Sequence, residues 1–318
     1  MPVCSPAVTI VAEVTRSGLV ESVHHGSVLA LDGAGTAAIS IGDVERPVYG
    51  RSSNKPLQAV AMVYAGLNLP PDLLALVAAS HSGEPRHLEG VRRILATYSL
   101  SEHQLQNTAD LPLDAATQIA YVRGGGKKSA LTQNCSGKHA GMLATCVVNG
   151  WPTDGYLDEQ HPLQRIITGY VKQLAGEGVR YVGVDGCGAP VHALSLIGLA
   201  RAFRTIALGE AGTPEGLVAA AMRTEPEMLG GRGRDITQLV RALPGIVAKD
   251  GAEGVYAAAL PDGRTVVLKI DDGAGRARPP VLLAALAQLG VDVSSLPELA
   301  HPPVLGHGRP VGEVRAVI

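Results

Sequence analysis

The first residues whose types and spacing could do chemistry are Ser52 and Lys55, in the run RSSNK at positions 51–55. In one helical turn, two side chains three residues apart share a face. A lysine amine without its proton can accept the proton of a serine hydroxyl, which produces a nucleophile without histidine. A serine that caps a helix and a lysine in solvent would give the same pattern. Ser53 is a second hydroxyl, but its spacing to Lys55 is wrong for the same face.

A second polar run, ASHSGE at positions 79–84, follows the apolar stretch LLALVAA. Its hydroxyls, imidazole and carboxylate are typical of a pocket wall. Ser80 or Ser82 could instead cap the helix that follows. Because adjacent side chains rarely face each other, His81 is a poor base for Ser80.

Two cysteines lie in glycine-rich loops, Cys135 in NCSGKH and Cys187 in DGCGAP. Lys138, His139 and Asp185 are beside them in the sequence. Such a set can gather around zinc, and three protein ligands would leave one position open for water. An isolated cysteine is more often a small buried hydrophobe than a metal ligand, so the residues alone leave both interpretations open.

A lysine interrupts a late apolar strand in the run LKIDDG, where Lys269 precedes Asp271 and Asp272. Such a lysine either extends outward to solvent or points into a site. The two aspartates can simply end the strand. Strand spacing alone does not decide between these interpretations.

The elements that must position these residues follow from hydrophobic periodicity. From Val8 to Tyr49 short alternating runs predict antiparallel strands joined by tight turns. From Pro56 the apolar spacing becomes helical, so a helix is expected to start directly after RSSNK. Residues 70–240 are predicted to be mostly helical, with one strand in VRYVGVDG.

The C-terminal part has the pattern of a hairpin and a helix. The runs GVYAAAL and RTVVLKI flank the turn sequence Pro261-Asp262-Gly263. The segment 279–289 follows with the spacing of an amphipathic helix. We therefore predict a single catalytic unit over residues 1–318, with a sheet lobe from about 1–55 and 245–318 and a mostly helical lobe over about 56–244.

Composition narrows the class of ligand. With a formal net charge of -2 and scattered charges, the sequence has no concentration of basic residues that would bind nucleic acid or anionic lipid. A small-molecule substrate is therefore expected. No stretch reaches the roughly 18 apolar residues of a membrane span, and no signal-peptide pattern is present, so we expect a cytoplasmic protein. In that compartment Cys4, Cys135, Cys146 and Cys187 are expected to be thiols or metal ligands rather than disulfides.

Together, six segments in this order resemble the rhizobial-type (class 3) L-asparaginases of the asparaginase II family: RSSNK, ASHSGE, NCSGKHAG, DGCGAP, GGRGRD and LKIDDG. The resemblance implies an α+β fold, with an antiparallel sheet flanked by helices and an added helical region, like serine β-lactamases and penicillin-binding enzymes. It also implies a homodimer.

The resemblance further assigns roles to residues. It implies two serine-lysine pairs, Ser52 with Lys55 and Ser80 with Lys269. It implies zinc as a cofactor that positions substrate or stabilises the fold, and pocket positions beside it. The residues implied for zinc are Cys135, Lys138 and Cys187, and those for the pocket are Arg51, His139 and Asp185. The sequence departs from the family pattern at Ser53-Asn54, where an apolar pair is usual, and at Ser82, where asparagine is frequent.

The resulting hypothesis is an L-asparaginase in which Lys55 activates Ser52 to attack the side-chain amide of L-asparagine. Three alternatives stay open. A β-lactamase or peptidase shares the Ser-x-x-Lys spacing but normally carries a Lys-Thr/Ser-Gly strand motif, whereas this strand reads KIDDG. A zinc-dependent amidohydrolase would use metal-bound water as the nucleophile. A binding protein without catalysis would use the polar loops only as ligand contacts.

Overall fold

The computed structural model describes residues 9–318, so Cys4 lies outside the described residues. All strand pairs of the described chain are antiparallel, and they form one eight-stranded sheet and one three-stranded sheet. Helices pack around both sheets. The predicted α+β class, an antiparallel sheet flanked by helices, is confirmed.

The strands within residues 9–318 are β1 (Ile10–Arg16), β2 (Leu19–Leu31), β3 (Ala37–Ile41), β4 (Val48–Tyr49), β5 (Val182–Val184), β6 (Pro190–Leu194), β7 (Val247–Asp250), β8 (Val255–Ala259), β9 (Thr265–Ile270), β10 (Pro303–Gly306) and β11 (Arg309–Ala316). The helices are α1 (Lys55–Tyr64), α2 (Pro71–Val77), α3 (Pro85–Thr97), α4 (Ala115–Arg123), α5 (Ser136–Val148), α6 (Pro162–Ala175), α7 (Leu196–Ala207), α8 (Pro214–Thr224), α9 (Pro226–Leu229), α10 (Asp235–Ala242), α11 (Arg278–Gln288) and α12 (Pro297–Ala300).

The larger sheet has the order β10-β11-β1-β2-β9-β8-β7, and β3 pairs with β2. Successive residues of β9 point to opposite faces, yet Thr265, Val266, Val267 and Leu268 are all buried. Both faces are therefore covered, and α7 and α11 both pack against β9. The sheet ends at β7, an edge strand beside the turn that carries Ser52.

Helix α1 lies in the interior and begins where the sequence indicates. It starts at Lys55 with Pro56 in its first turn, where the missing proline N–H costs no hydrogen bond. Every residue from Lys55 to Met62 is buried, because α1 packs against α5, α6, α7 and α8. A lysine at the start of this helix therefore faces protein, and a solvated Lys55 is ruled out.

The predicted local elements are largely confirmed. Strands β1 to β3, the strand in VRYVGVDG, the hairpin of β8 and β9 around Pro261-Asp262-Gly263, and helix α11 all form. Strands β6, β7, β10 and β11 were not predicted. The larger sheet is built from residues 10–41 and 247–316, with α1 to α10 between them. None of the helices in residues 9–318 has the length and apolarity needed to cross a membrane.

Two buried histidines should make the fold acid-sensitive. Burial lowers the pKa of His87 and of His192 from 6.5 to about 4 in each case. Unfolding restores the higher pKa, so the unfolded chain binds more protons as pH falls below 6.5. We expect each histidine to lower the free energy of unfolding by about 3 kcal/mol as the pH falls from 6.5 to 4.

Urea unfolding measured across this range tests the expectation. His87→Gln should be less stable than wild type at pH 7, since His87 accepts from the Glu84 N–H and bonds the Glu227 carbonyl. Its stability should nevertheless fall less steeply with acid. An unchanged slope in His87→Gln would show that this ring does not account for the acid sensitivity.

Candidate active site

A buried lysine amine and a serine hydroxyl are in contact at the centre of the site. The Lys55 Nζ donates to the Ser80 Oγ over 3.0 Å and to the Ala79 carbonyl over 2.5 Å. Lys55 is 1% exposed and Ser80 is 4% exposed. The start of α1 and the segment after α2 thus meet through a serine-lysine pair that water barely reaches.

The segment that carries Ser80 is held on both sides by backbone hydrogen bonds. The His81 N–H donates to the Asn134 carbonyl over 3.2 Å, and the Ser82 N–H donates to the Gly230 carbonyl over 2.8 Å. The His81 ring bonds Ser136, not Ser80, with 2.9 Å between Nε2 and Oγ. His81 is therefore not the base for Ser80, as its sequence position indicated.

Ser52 is the more accessible hydroxyl of the site. It lies in the short 3-10 helix Arg51–Asn54 that leads into α1, and it is half-buried. Its hydroxyl has no hydrogen-bond partner within residues 9–318, so the predicted pairing of the Ser52 and Lys55 side chains is not formed there. The two residues are joined only through the backbone, where the Lys55 N–H donates to the Ser52 carbonyl. The preceding Arg51 has φ +49°, a left-handed conformation that costs energy in a residue other than glycine. Such strain next to a reactive group is typical of functional sites.

Ser53 has a structural role that its neighbour lacks. It is fully buried, and its hydroxyl donates to the Lys249 carbonyl over 3.0 Å. The Ser53 hydroxyl is thus committed to joining the 51–54 turn to β7.

The bond from Ser53 identifies Lys249 as a site residue that sequence reasoning missed. Lys249 is fully buried, and its Nζ donates to the backbone carbonyl of Asp250 over 2.7 Å and to its carboxylate. Burial lowers the pKa of Lys249 to about 8, with the Lys55 charge adding to the shift and the Asp250 carboxylate opposing it. Lys55 and Lys249 therefore lie close enough for their charges to repel.

The structure does not bring Lys269 to Ser80, so the predicted pairing needs correction. Lys269 is half-buried on β9, and its Nζ donates to the carbonyls of Glu253 and Ile270 over 2.7 and 2.5 Å. The lysine that contacts Ser80 is Lys55, and the second buried amine nearby is Lys249. The reason is register: Lys269 lies opposite Val255 on β8 and Ser27 on β2, two strands away from the edge strand β7.

The residues predicted to bind zinc are brought together. The Lys138 Nζ lies 3.2 Å from the Cys187 Sγ, and the Cys135 thiol donates to the Asn134 Oδ1 over 3.1 Å. The neighbouring Cys135 thiol lowers the pKa of Cys187, which the Lys138 charge lowers further, and the pKa of Cys135 is raised. Cys187 is thus favoured as a thiolate, the form that binds zinc. Residues 9–318 hold no group of three His, Cys, Asp or Glu side chains suited to a metal, so Lys138 would have to be a ligand as an uncharged amine. Burial lowers the pKa of Lys138, but the charges of Cys187, Cys135 and Asp185 outweigh it and the net pKa is raised, so zinc would have to displace a proton from this amine.

The predicted pocket residues adjoin this cluster. Arg51 Nε donates to Asp185 Oδ1 over 2.8 Å, and both side chains are partly buried. Burial raises the pKa of Asp185, but the Lys138 and Arg51 charges outweigh it and the net pKa is lowered. His139 is fully buried, its Nδ1 lies 2.8 Å from the Tyr156 hydroxyl, and its Nε2 is without a partner among the described residues. Burial keeps its pKa well below 6.5, so the ring is neutral.

The fold and the site define an α+β protein with a buried serine-lysine centre. The sequence profile of the L-asparaginase II family matches residues 12–316. The chain therefore belongs to the L-asparaginase II family, and the predicted family assignment is confirmed. This membership supports the expected hydrolase class, an amidohydrolase of the asparaginase type.

The comparisons with other proteins add the following. No curated protein sequence matches the chain. Among solved structures it is similar to a β-lactamase (Mb2281c) from Mycobacterium bovis, at 17% identity and TM-score 0.49 over 90% of this chain and 97% of that one. It is also similar to EstCE1, a hydrolase with promiscuous acyltransferase activity, at 14% identity and TM-score 0.44 over 82% and 93% of the chains. A mutant of the simvastatin synthase LovD from Aspergillus terreus aligns at 11% identity and TM-score 0.40 over 83% and 90%.

Proposed function

We propose that this protein is an L-asparaginase that hydrolyses L-asparagine to L-aspartate and ammonia through a serine ester. The observation that carries the proposal is the buried contact between the Lys55 amine and the Ser80 hydroxyl, in a chain of the L-asparaginase II family. A lysine amine that is shielded from water and contacts a serine hydroxyl can receive a proton through that hydroxyl, which supplies a base when no histidine does so. The family supplies the amide substrate class.

Ser52 is proposed as the nucleophile and Ser80 as a proton relay. Ser52 is half-exposed and can meet a substrate, whereas Ser80 is 4% exposed and already bonded to Lys55. Ser52 Oγ attacks the side-chain carbonyl carbon of asparagine, and its hydroxyl proton passes through Ser80 to Lys55 in its uncharged form. Lys55 then gives that proton through Ser80 to the leaving amide nitrogen, which departs as ammonia. Water attacks the β-aspartyl ester and gives one of its protons to the Ser52 oxygen, which releases aspartate and restores the Ser52 hydroxyl.

The second lysine favours the state in which an uncharged amine is present. The Lys55 charge adds to burial in lowering the pKa of Lys249, because like charges disfavour the charged form. With its pKa at about 8, Lys249 can lose its proton close to neutral pH. We therefore assign to Lys249 the place that the family resemblance gave to Lys269.

The charged pair of Arg51 and Asp185 suits the amino-acid end of the substrate. An arginine fork binds a carboxylate, and an aspartate binds an ammonium. Both groups are present in L-asparagine, and Arg51 is adjacent to Ser52 in the chain. We propose that Arg51 binds the α-carboxylate and Asp185 the α-ammonium, with neutral His139 behind them.

Zinc is proposed to bind Cys135, Lys138 and Cys187, because the donor set contains a sulfur that is favoured as a thiolate. When bound, zinc would supply a Lewis acid that can orient a polar group of the substrate. Protein purified without chelator should hold about one zinc per chain by elemental analysis. Cys187→Ser should lose it, whereas Cys146→Ser should keep it, since Cys146 is buried among apolar residues of α5. Equal zinc contents in the two variants, or none in wild type, would contradict this assignment.

The activity itself is tested by ammonia release from L-Asn, L-Gln and D-Asn with purified protein. We expect turnover of L-Asn. A discrimination against L-Gln of about 10–200-fold is the range that one methylene allows. Full activity of Ser52→Ala combined with loss on chelation would favour a zinc-dependent amidohydrolase instead. A penicillin adduct on Ser52 without amide turnover would favour a β-lactamase or peptidase. The homodimer and the cytoplasmic location stay predictions.

A further inference from the structure

The GGRGRD segment, residues 230–235, links two parts of the site. Ser82, two residues after Ser80, donates to the Gly230 carbonyl from its N–H over 2.8 Å and from its hydroxyl over 3.0 Å. Gly231 has φ +124°, and a Cβ there would collide with the Ser82 side chain. The start of the segment is thus fixed against the run that carries Ser80.

The end of the same segment reaches the second lysine. Arg234 Nη2 donates to Asp250 Oδ2 over 3.1 Å, while Lys249 Nζ donates to Asp250 Oδ1. The Asp250 side chain is 8% exposed, so water competes little for either oxygen. Oδ1 therefore faces Lys249 of β7, while Oδ2 faces Arg234 of this segment and, at the longer distance of 3.9 Å, Arg278 Nη1.

We propose that Arg234 is a positioning residue for the hydrolysis: by holding Asp250 through its second oxygen, it fixes both the place and the charge of the Lys249 amine. This inference rests on the proposed function for its meaning in catalysis. Without Arg234, Asp250 Oδ2 would keep only the longer contact with Arg278, so the carboxylate could turn further towards Lys249. It would then favour the ammonium form of that amine, which is the form that cannot take up a proton.

The direction in which the pKa of Lys249 changes follows from the groups that face the Lys249–Asp250 pair. These groups come from α1, α10, the loop before α10, β8 and α11: Lys55, Asp235, Arg234, Tyr256 and Arg278. Burial lowers the pKa of Lys249, and Lys55 and Arg234 lower it further, against Asp250. Removing Arg234 takes away a like charge and releases the opposing carboxylate. Both changes raise the pKa of Lys249.

The direct test follows the titration of Lys249 by NMR in protein labelled with ¹³C at the lysine Cε, with its signal identified by its loss in Lys249→Gln. In wild type the midpoint should lie near pH 8. In Arg234→Gln it should rise by roughly one pH unit or more. In Asp250→Asn it should fall, because the carboxylate that favours the ammonium is gone. The matched control is Arg232→Gln, an exposed arginine two residues earlier, which should titrate like wild type.

Kinetics on L-asparagine give the second measurement. Arg234→Gln should lower kcat by about 10²-fold with little change in KM, since a misplaced reacting group costs about that much. In the plot of kcat against pH, the change that reflects proton loss from Lys249 should move to higher pH. Arg234→Lys keeps a positive charge, so it should recover most of kcat and of the wild-type pH profile.

The outcomes separate this inference from the proposed function. Wild-type titration and kcat in a folded Arg234→Gln would overturn the role of Arg234 while leaving the asparaginase proposal intact. Failure of a folded Arg234→Lys to recover the profile would also overturn it. If wild type releases no ammonia from L-asparagine, the proposed function fails, and the NMR titration still decides whether Arg234 sets the charge of Lys249.

Discussion

Replacing Ser52 with alanine is expected to lower kcat for L-asparagine by about 10⁴-fold or more, because removal of a catalytic nucleophile has effects of that size. The other two hydroxyls of the site cannot substitute for it. Ser53 is buried and bonded to the Lys249 carbonyl, and Ser80 is buried and bonded to Lys55. Steady-state ammonia release from wild type and Ser52→Ala provides the measurement.

The matched control for this prediction is Ser53→Ala, the neighbouring hydroxyl on the same turn. It removes the hydrogen bond to β7 and should cost about 1 kcal/mol in the free energy of unfolding. We expect it to keep most of its turnover. An active Ser52→Ala, or an equal loss of turnover in both variants at equal stability, would exclude Ser52 as the nucleophile.

The second large effect is expected at Lys249. Lys249→Gln should lower kcat by about 10²- to 10⁴-fold, the contribution typical of a group that takes part in proton transfer. The variant lacks the buried amine whose pKa is lowered to about 8 and which can therefore release a proton near neutral pH. The measurement is kcat between pH 6 and 10, in which the variant should also lack the limb that wild type shows near pH 8.

Lys269→Gln is the control that separates the structure from the sequence-based assignment. Lys269 donates only to backbone carbonyls on β9 and in the turn before β8. We expect its replacement by glutamine to leave kcat within about threefold of wild type, as for a position outside the chemistry. A severe loss in Lys269→Gln with a mild effect in Lys249→Gln would reverse this assignment and restore the pairing expected from sequence.

Local patterns explain how much of the fold could be predicted. The alternation in residues 10–41, the turn at Pro261-Asp262-Gly263 and the helical spacing after Lys55 are each readable within one window of sequence. The pairing of β1 with β11 joins the two ends of the described chain, and no local pattern contains it. Strands β10 and β11 also lack a clear apolar face, since most of their residues are only partly buried or exposed.

The site was harder to predict than the fold because its second lysine lies on a very short strand. Strand β7 has four residues, VAKD, and all four are buried, so it shows no alternation. The available signal was the run Lys249-Asp250-Gly251, a charged pair and a glycine directly after Val247-Ala248. The similar run at Lys269 differs from this one in the position of its strand in the sheet, which depends on how the strands pair.

Several other predicted site residues do lie together. Lys55 is buried beside Ser80 instead of the predicted Ser52, Cys187 contacts Lys138 near Cys135, and Arg51 contacts Asp185. Residue types suggested the cysteine and lysine set, whereas the pocket role of Arg51 came from the family resemblance. Residue types could not show which amine contacts which hydroxyl, because that depends on contacts between segments far apart in sequence.

The most direct test of the central claim is to quench the protein rapidly during turnover of L-asparagine and map any covalent adduct by peptide mass spectrometry. A serine ester formed next to a lysine amine predicts a β-aspartyl adduct on the peptide that contains Ser52, absent in Ser52→Ala and formed more slowly in Lys249→Gln. An adduct confined to the peptide with Ser80, or L-asparagine turnover that persists in Ser52→Ala, would contradict the account.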